Sequence, residues 1–126
     1  MNLVDSSGWI EVLADAPGAD FFVSVLGSFE ELLVPRICMV EVARYFYRER
    51  GEHEALQAMA QMRQGTVVDI DDPILMGAAQ LGKEHRLPLA DSLVLATARA
   101  YEAVVWTQDS DFEGLEGVRY TPKIKK

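Results

Sequence analysis

Cysteine is almost absent from this chain. Cys38 stands alone, so no disulfide can form within the chain, which fits a reducing compartment. Only two histidines, His53 and His85, accompany it. A zinc site of nitrogen and sulfur ligands would need carboxylate help, and oxygen chemistry around a hard cation is the better expectation. Long apolar runs are missing too: nothing approaches the roughly 20 residues that a membrane-spanning helix needs. The first residues include Asp5 and Glu11 and no basic segment, so they do not read as a secretory signal. No membrane association and a cytoplasmic location are expected. Positive charge is scarce, with 12 Lys and Arg against 20 Asp and Glu, a net charge of −8. Proteins that gain affinity by covering phosphates are usually basic, so charge alone disfavours nucleic acid. An acidic pocket that recruits a cation reverses that logic locally, because the bound ion dominates the site's charge. The one basic cluster, Lys123-Ile124-Lys125-Lys126, reads as a solvated terminus.

The 126 residues suit one domain, spanning 1–126, and a hydrophobic fraction of 49 % excludes disorder. Short apolar runs alternate with longer periodic segments. Strands are expected at 2–5, 31–34 (stopped by Pro35), 66–70, 103–107 and 118–120. Helices are expected from Ser6 or Ser7 to about Leu13, then over 19–26, 37–49, 54–64, from Asp71-Asp72-Pro73 to about His85, and over 91–101. Residues 109–112 suit one helical turn. Strands separated by one or two helices imply an α/β fold with a mainly parallel sheet covered on both faces. Ligands of such sheets bind beyond the carboxyl ends of strands, where the strand order switches. Asp5 and Asp109 both sit just past a strand end.

Four carboxylates belong to four different segments: Asp5, Glu41, Asp91 and Asp109. Taken singly, each has an ordinary explanation. Asp5 suits a helix cap or turn, and Asp91 suits the cap of the apolar helix that follows it. Glu41 could pair with Arg44 one turn on, although its neighbours Ile37, Cys38 and Tyr45 make an apolar stripe. Asp109 and Asp111 suit a turn after the strand Val104-Val105-Trp106. Asp71-Asp72 serves as a control, an acidic pair assigned wholly to capping. As a set, the four acids are costly to gather beside apolar residues unless a divalent cation offsets them.

In order and spacing, these residues resemble the PIN domain. The resemblance rests on an Asp ending the first strand, a Glu on an apolar helix, an Asp after Leu89-Ala90, and Thr107-Gln108-Asp109-Ser110-Asp111-Phe112 after a strand. It covers essentially the whole chain and is strongest to the VapC toxins of type II toxin–antitoxin systems. The resemblance implies a three-layer α/β/α sandwich with a central, mainly parallel sheet of about five strands. It further implies Mg²⁺- or Mn²⁺-dependent endoribonuclease activity, an RNA substrate, a cognate antitoxin that blocks the site, and a homodimer. The implied metal-binding and catalytic residues are Asp5, Glu41, Asp91 and Asp109, with Thr107 and Asp111 in support.

The segment Tyr45-Phe46-Tyr47, flanked by Arg44, Arg48 and Arg50, has two readings. In one, Phe46 and Tyr47 pack in the core and the arginines are solvated. In the other, it stacks bases or seats a partner helix, and Tyr45 and Phe46 are assigned to an antitoxin partner. The rival functions are a non-catalytic PIN-like module and a receiver-like regulatory domain. The latter wants an acidic pair after the first strand and a late Lys, which Asp5-Ser6-Ser7 and the later strands lack. A structure-specific DNA nuclease would need more helical elements than this length holds.

Overall fold

The computed structural model describes residues 1–125; Lys126 of the basic tail lies outside them. In chain order the described elements are β1 (Asn2–Val4), α1 (Ser6–Leu13), α2 (Asp20–Leu26), β2 (Leu32–Pro35), α3 (Arg36–Arg50), α4 (Glu52–Met62), β3 (Thr66–Val68), α5 (Asp72–His85), α6 (Leu89–Ala100), β4 (Val104–Thr107) and β5 (Val118–Tyr120). Single 3-10 turns at Phe29–Glu31 and Ser110–Phe112 complete them.

The sheet has the order β3-β2-β1-β4-β5, and every described ladder is parallel. Parallel neighbours need a crossover between them, and the helices supply it. With helices flanking the sheet, the architecture is the expected α/β/α sandwich. A receiver-like domain would run β2-β1-β3-β4-β5, so the observed order sets that alternative aside. The chain builds outward from β1 through β2 to β3, then returns to the other side of β1 for β4 and β5. Leu3 pairs with Leu33 on one side and with Val105 on the other. The switch in strand order therefore lies between β1 and β4, and Asp5 and Asp109 follow those two strands.

Leu3, Val4, Leu33, Val34 and Val105 are buried in one core with Phe22, Met62, Leu95 and Phe112. Gly8 lets α1 sit against this core. A Cβ there would lie 2.5 Å from Val4 Cγ1 and 2.7 Å from the Phe22 ring, too close for any side chain.

Three local expectations change. Pro35 belongs to β2, and its backbone opens α3 without a side-chain cap. Of the cap readings for α1, that of Asp5 holds, since it accepts from Gly8 N–H, and that of Ser6 or Ser7 does not. Asp91 does not cap α6: Pro88 occupies the cap position, the helix begins at Leu89, and Asp91 falls in its first turn. Pro88 has the extended backbone of a cap residue, and its carbonyl accepts from Ser92 N–H at 3.0 Å. The Asp91 side chain is thereby free to face other groups.

Candidate active site

Asp5 leaves the end of β1 with its own N–H donated to the Trp106 carbonyl at 3.2 Å. Its carboxylate is 4 % exposed and accepts three hydrogen bonds. Oδ1 accepts from Ser7 Oγ (2.6 Å) and Gly8 N–H (3.2 Å), and Oδ2 accepts from Thr107 Oγ1 (2.7 Å). A carboxylate oxygen has two lone pairs, so Oδ1 is saturated and Oδ2 keeps one free. Burial pushes the Asp5 pKa up to about 6; the three hydrogen bonds oppose that rise and the Asp109 charge adds to it.

Thr107, fully buried at the end of β4, joins the two aspartates. Its hydroxyl donates to Asp5 and accepts from Asp109 N–H at 2.9 Å. Asp109 in turn accepts from Asp111 N–H at 2.9 Å and caps the 3-10 turn. Asp91 reaches the same place from α6. Oxygens of Asp91, Asp109 and Asp111 all lie within 4.8 Å of one another. Burial, then the charge of Asp109, then a hydrogen bond to and the charge of Asp111, and lastly the charge of Asp5, hold the Asp91 pKa at about 8.

Glu41 stands half-buried on α3. Burial raises its pKa, and so does the charge of Asp109; a hydrogen bond from Ser6 and the charge of Arg44 oppose the rise. Asp5 and Glu41 fall outside the tightest group of three, yet both feel Asp109. Cys38 is buried beside the site. Its thiol pKa is raised by burial and by the charges of Asp5, Glu41 and Asp91, so it stays protonated.

Among the described residues no salt bridge reaches this cluster. Among the described residues the salt bridges join Arg36 to Asp69, Arg48 to Glu49 and His85 to Glu84, all elsewhere. A set of hard oxygen donors at uncompensated negative charge suits a divalent cation of the Mg²⁺ or Mn²⁺ kind. Asp91, Asp109 and Asp111, with the free lone pair of Asp5, are the residues present to hold one.

Sequence reasoning missed a second buried carboxylate. Glu11 is 2 % exposed; its Oε2 accepts from Gly18 N–H at 2.7 Å and its Oε1 from Gln108 Nε2 at 2.8 Å. Gln108 lies between Thr107 and Asp109, so this network ties the α1–α2 connection to the loop that carries Asp109. The available signal was a glutamate inside Trp9-Ile10-Glu11-Val12-Leu13 with no basic residue one turn away on either side.

The aromatic segment also divides differently from either expectation. Phe46 is 2 % exposed and belongs to the core, whereas Tyr47 is 60 % exposed. Phe46 is thus withdrawn as a docking residue, because no partner reaches a ring the core already covers. Tyr45 is half-buried, and its ring stands edge-on to Phe46 with centroids 5.1 Å apart.

A parallel five-stranded sheet between helical layers, with carboxylates gathered at its switch point, defines an acid-centred α/β/α domain. The sequence model of the PIN domain matches residues 3–118, and the chain belongs to that family. Solved structures of similar fold include a toxin–antitoxin complex from Klebsiella pneumoniae (TM-score 0.80, 21 % identity, covering 94 % of this chain and 96 % of that one). Another is VapC20 of Mycobacterium tuberculosis, a toxin that cleaves the sarcin–ricin loop (0.77, 19 %, 94 % and 99 %). A third is DNA-bound VapBC of Salmonella typhimurium (0.73, 16 %, 97 % and 98 %). No curated protein sequence matches the chain. No helix among the described residues is long and apolar enough to cross a membrane.

Proposed function

We propose that this PIN-domain protein is a metal-dependent endoribonuclease and the toxin of a type II toxin–antitoxin pair. The observation that carries the reading is the meeting of Asp91, Asp109 and Asp111 within 4.8 Å, beside buried Asp5, with no salt bridge to any of them among the described residues. The similarity in fold to a toxin that cleaves the sarcin–ricin loop, and to toxin–antitoxin complexes, supports the substrate and the partner. The expected homodimer belongs to the same reading.

Mg²⁺ or Mn²⁺, when bound, supplies Lewis-acid stabilisation of the phosphoryl oxygens and lowers the pKa of the attacking water. The chain's own residues do the rest. Asp91, Asp109 and Asp111 provide the oxygen ligands, and Asp5 contributes its free lone pair. Ser7, Gly8 and Thr107 hold the Asp5 carboxylate in one orientation before substrate arrives, so little reorganisation is left for the reaction. Glu41, whose pKa burial raises, orients the water and takes its proton as the oxygen attacks phosphorus in line; the opposite P–O ester bond breaks, and the leaving ribose oxygen takes a proton from solvent.

The test is cleavage of a mixed RNA pool by purified protein in Mn²⁺, with EDTA and Asp5→Asn as controls. Cleavage that both controls abolish is expected. Equal cleavage by Asp5→Asn and wild type would refute the assignment, and no cleavage by wild type would refute the activity.

A further inference from the structure

Two clefts flank Tyr45, and each opens on one of the site's acids. One, of about 340 Å³, has Ser6, Ile10, Glu11, Tyr45, Asp109 and Lys123 in its lining. The other, of about 260 Å³, is lined by Ser6, Ile10, Glu41, Arg44, Tyr45 and Arg48. Ser6, Ile10 and Tyr45 are common to both, so the tyrosine stands at the wall between them. Glu41, Arg44, Tyr45 and Arg48 recur at helical spacing and share one face of α3.

The charge of this face runs against the rest of the molecule. The chain carries −8 overall, yet α3 holds four arginines (Arg36, Arg44, Arg48, Arg50) against two glutamates. Arg44 and Arg48 are exposed. Arg48 has an exposed pairing with Glu49 at 3.1 Å, of the kind that holds a side chain only weakly, and its guanidinium lies 5.6 Å from the Tyr45 ring centroid. Lys123 closes the far cleft. Cations thus line both clefts, an acid of the site lines each with them, and the aromatic ring that the two clefts share stands edge-on to the core residue Phe46. A held aromatic ring with flanking cations is how proteins take a single strand: the ring stacks an unpaired base and the cations meet its phosphates.

We infer that these two clefts are nucleotide subsites on either side of the scissile phosphate of a single-stranded RNA, with Tyr45 as the stacking platform and Arg44, Arg48 and Lys123 on the flanking phosphates. The inference rests on the nuclease reading for the word scissile. Arg44, Arg48 and Lys123 supply positive charge at the clefts of a chain that is acidic overall. A base can stack on Tyr45 only when it is unpaired, so duplex RNA is a poor ligand.

The test reads binding and cleavage separately. Binding is followed by fluorescence anisotropy of a labelled single-stranded RNA 12-mer in Ca²⁺, and turnover is followed in Mn²⁺. Tyr45→Ala is expected to weaken binding about 5- to 150-fold, as loss of one stacked base does, and Tyr45→Phe to keep it. Arg44→Ala with Arg48→Ala is expected to flatten the slope of log K against log salt by about 1.4. Both arginines are exposed, so that variant folds even if Tyr45→Ala loosens the core. Tyr47→Ala, exposed on the same helix but outside both clefts, is expected to change nothing. Unchanged affinity and KM in Tyr45→Ala and in the double arginine variant, with wild type still cleaving, would overturn the inference and spare the nuclease reading. RNA binding through Tyr45 without any cleavage would do the reverse. If the variants bind RNA normally and lose only co-purification with the protein of the adjacent reading frame, the face docks a protein and the inference is overturned.

Discussion

Asp5 and Asp71 do the same local work. Each follows a strand, has an extended backbone, opens a helix, and accepts a hydrogen bond from the N–H three residues on, at 3.2 Å for Asp5 and 3.0 Å for Asp71. Their surroundings differ because the strands before them differ. β3 is an edge strand, and Asp71 behind it is exposed. β1 is the central strand, so Asp5 emerges between β2 and β4, where Thr107 and the Asp109 loop arrive from one side and its charge reaches Asp91. The same capping chemistry is structural at the edge and forms part of a charge cluster at the switch point. Sheet order, not local sequence, separates the two.

Substitutions at the two caps sharpen that contrast. Asp5→Asn preserves the cap acceptor and removes the charge, so the fold is expected to survive while RNA cleavage drops to the level of an EDTA blank. Thr107→Val keeps the shape of a fully buried residue but cuts the link between Asp5 and Asp109. A loss of about 10- to 100-fold in cleavage and of about 1–3 kcal/mol in stability is expected, measured by turnover and by urea unfolding. An effect on stability alone would mean that the hydroxyl does not position the site.

Proton linkage probes the centre without mutation. Asp5 and Asp91 have folded pKa values of about 6 and about 8, above the usual 3.8. Between those limits the native state binds more protons than the unfolded chain, so stability falls as pH rises. The contribution is fully present below pH 3.8 and is lost progressively through pH 6 and pH 8. In EDTA the melting temperature is therefore expected to fall by a few degrees from pH 5 to pH 8.5. Excess Mn²⁺ should reverse most of that fall, because a cation removes the repulsion that raises Asp91. A profile that Mn²⁺ leaves untouched would mean that the acids do not share a cation site. The smallest effect is expected at the edge: Asp71→Ala should cost about 1 kcal/mol, the value of a helix cap, and leave cleavage unchanged.

Much of this was legible in the chain because it depends on local chemistry. The alternation of β-branched runs with capped helices predicted the five strands and six helices, and Asp71-Asp72-Pro73 opened α5 as expected. What depended on three-dimensional arrangement was not legible. The start of α6 was misplaced because Pro88, an unremarkable proline by sequence, holds the cap position and frees Asp91. Phe46 is buried as the packing reading had it, but Tyr47 is exposed, because neighbours on a helix differ by about 100° in direction and both cannot face the core. Glu11 was overlooked because its partners, Gly18 N–H and Gln108, come from a tight connection and from a segment nearly a chain length away. Asp111 was ranked below Asp109, yet its oxygen belongs to the closest group of three.

If the acids gathered by the switch point share one cation site, calorimetric titration of Mn²⁺ will register it. Wild type and Asp71→Ala are expected to bind the ion saturably with matching affinity, and Asp109→Asn to bind it at least about 10-fold more weakly. Equal affinity in Asp109→Asn and wild type, or no saturable binding to wild type at all, would mean that these acids hold no common ion.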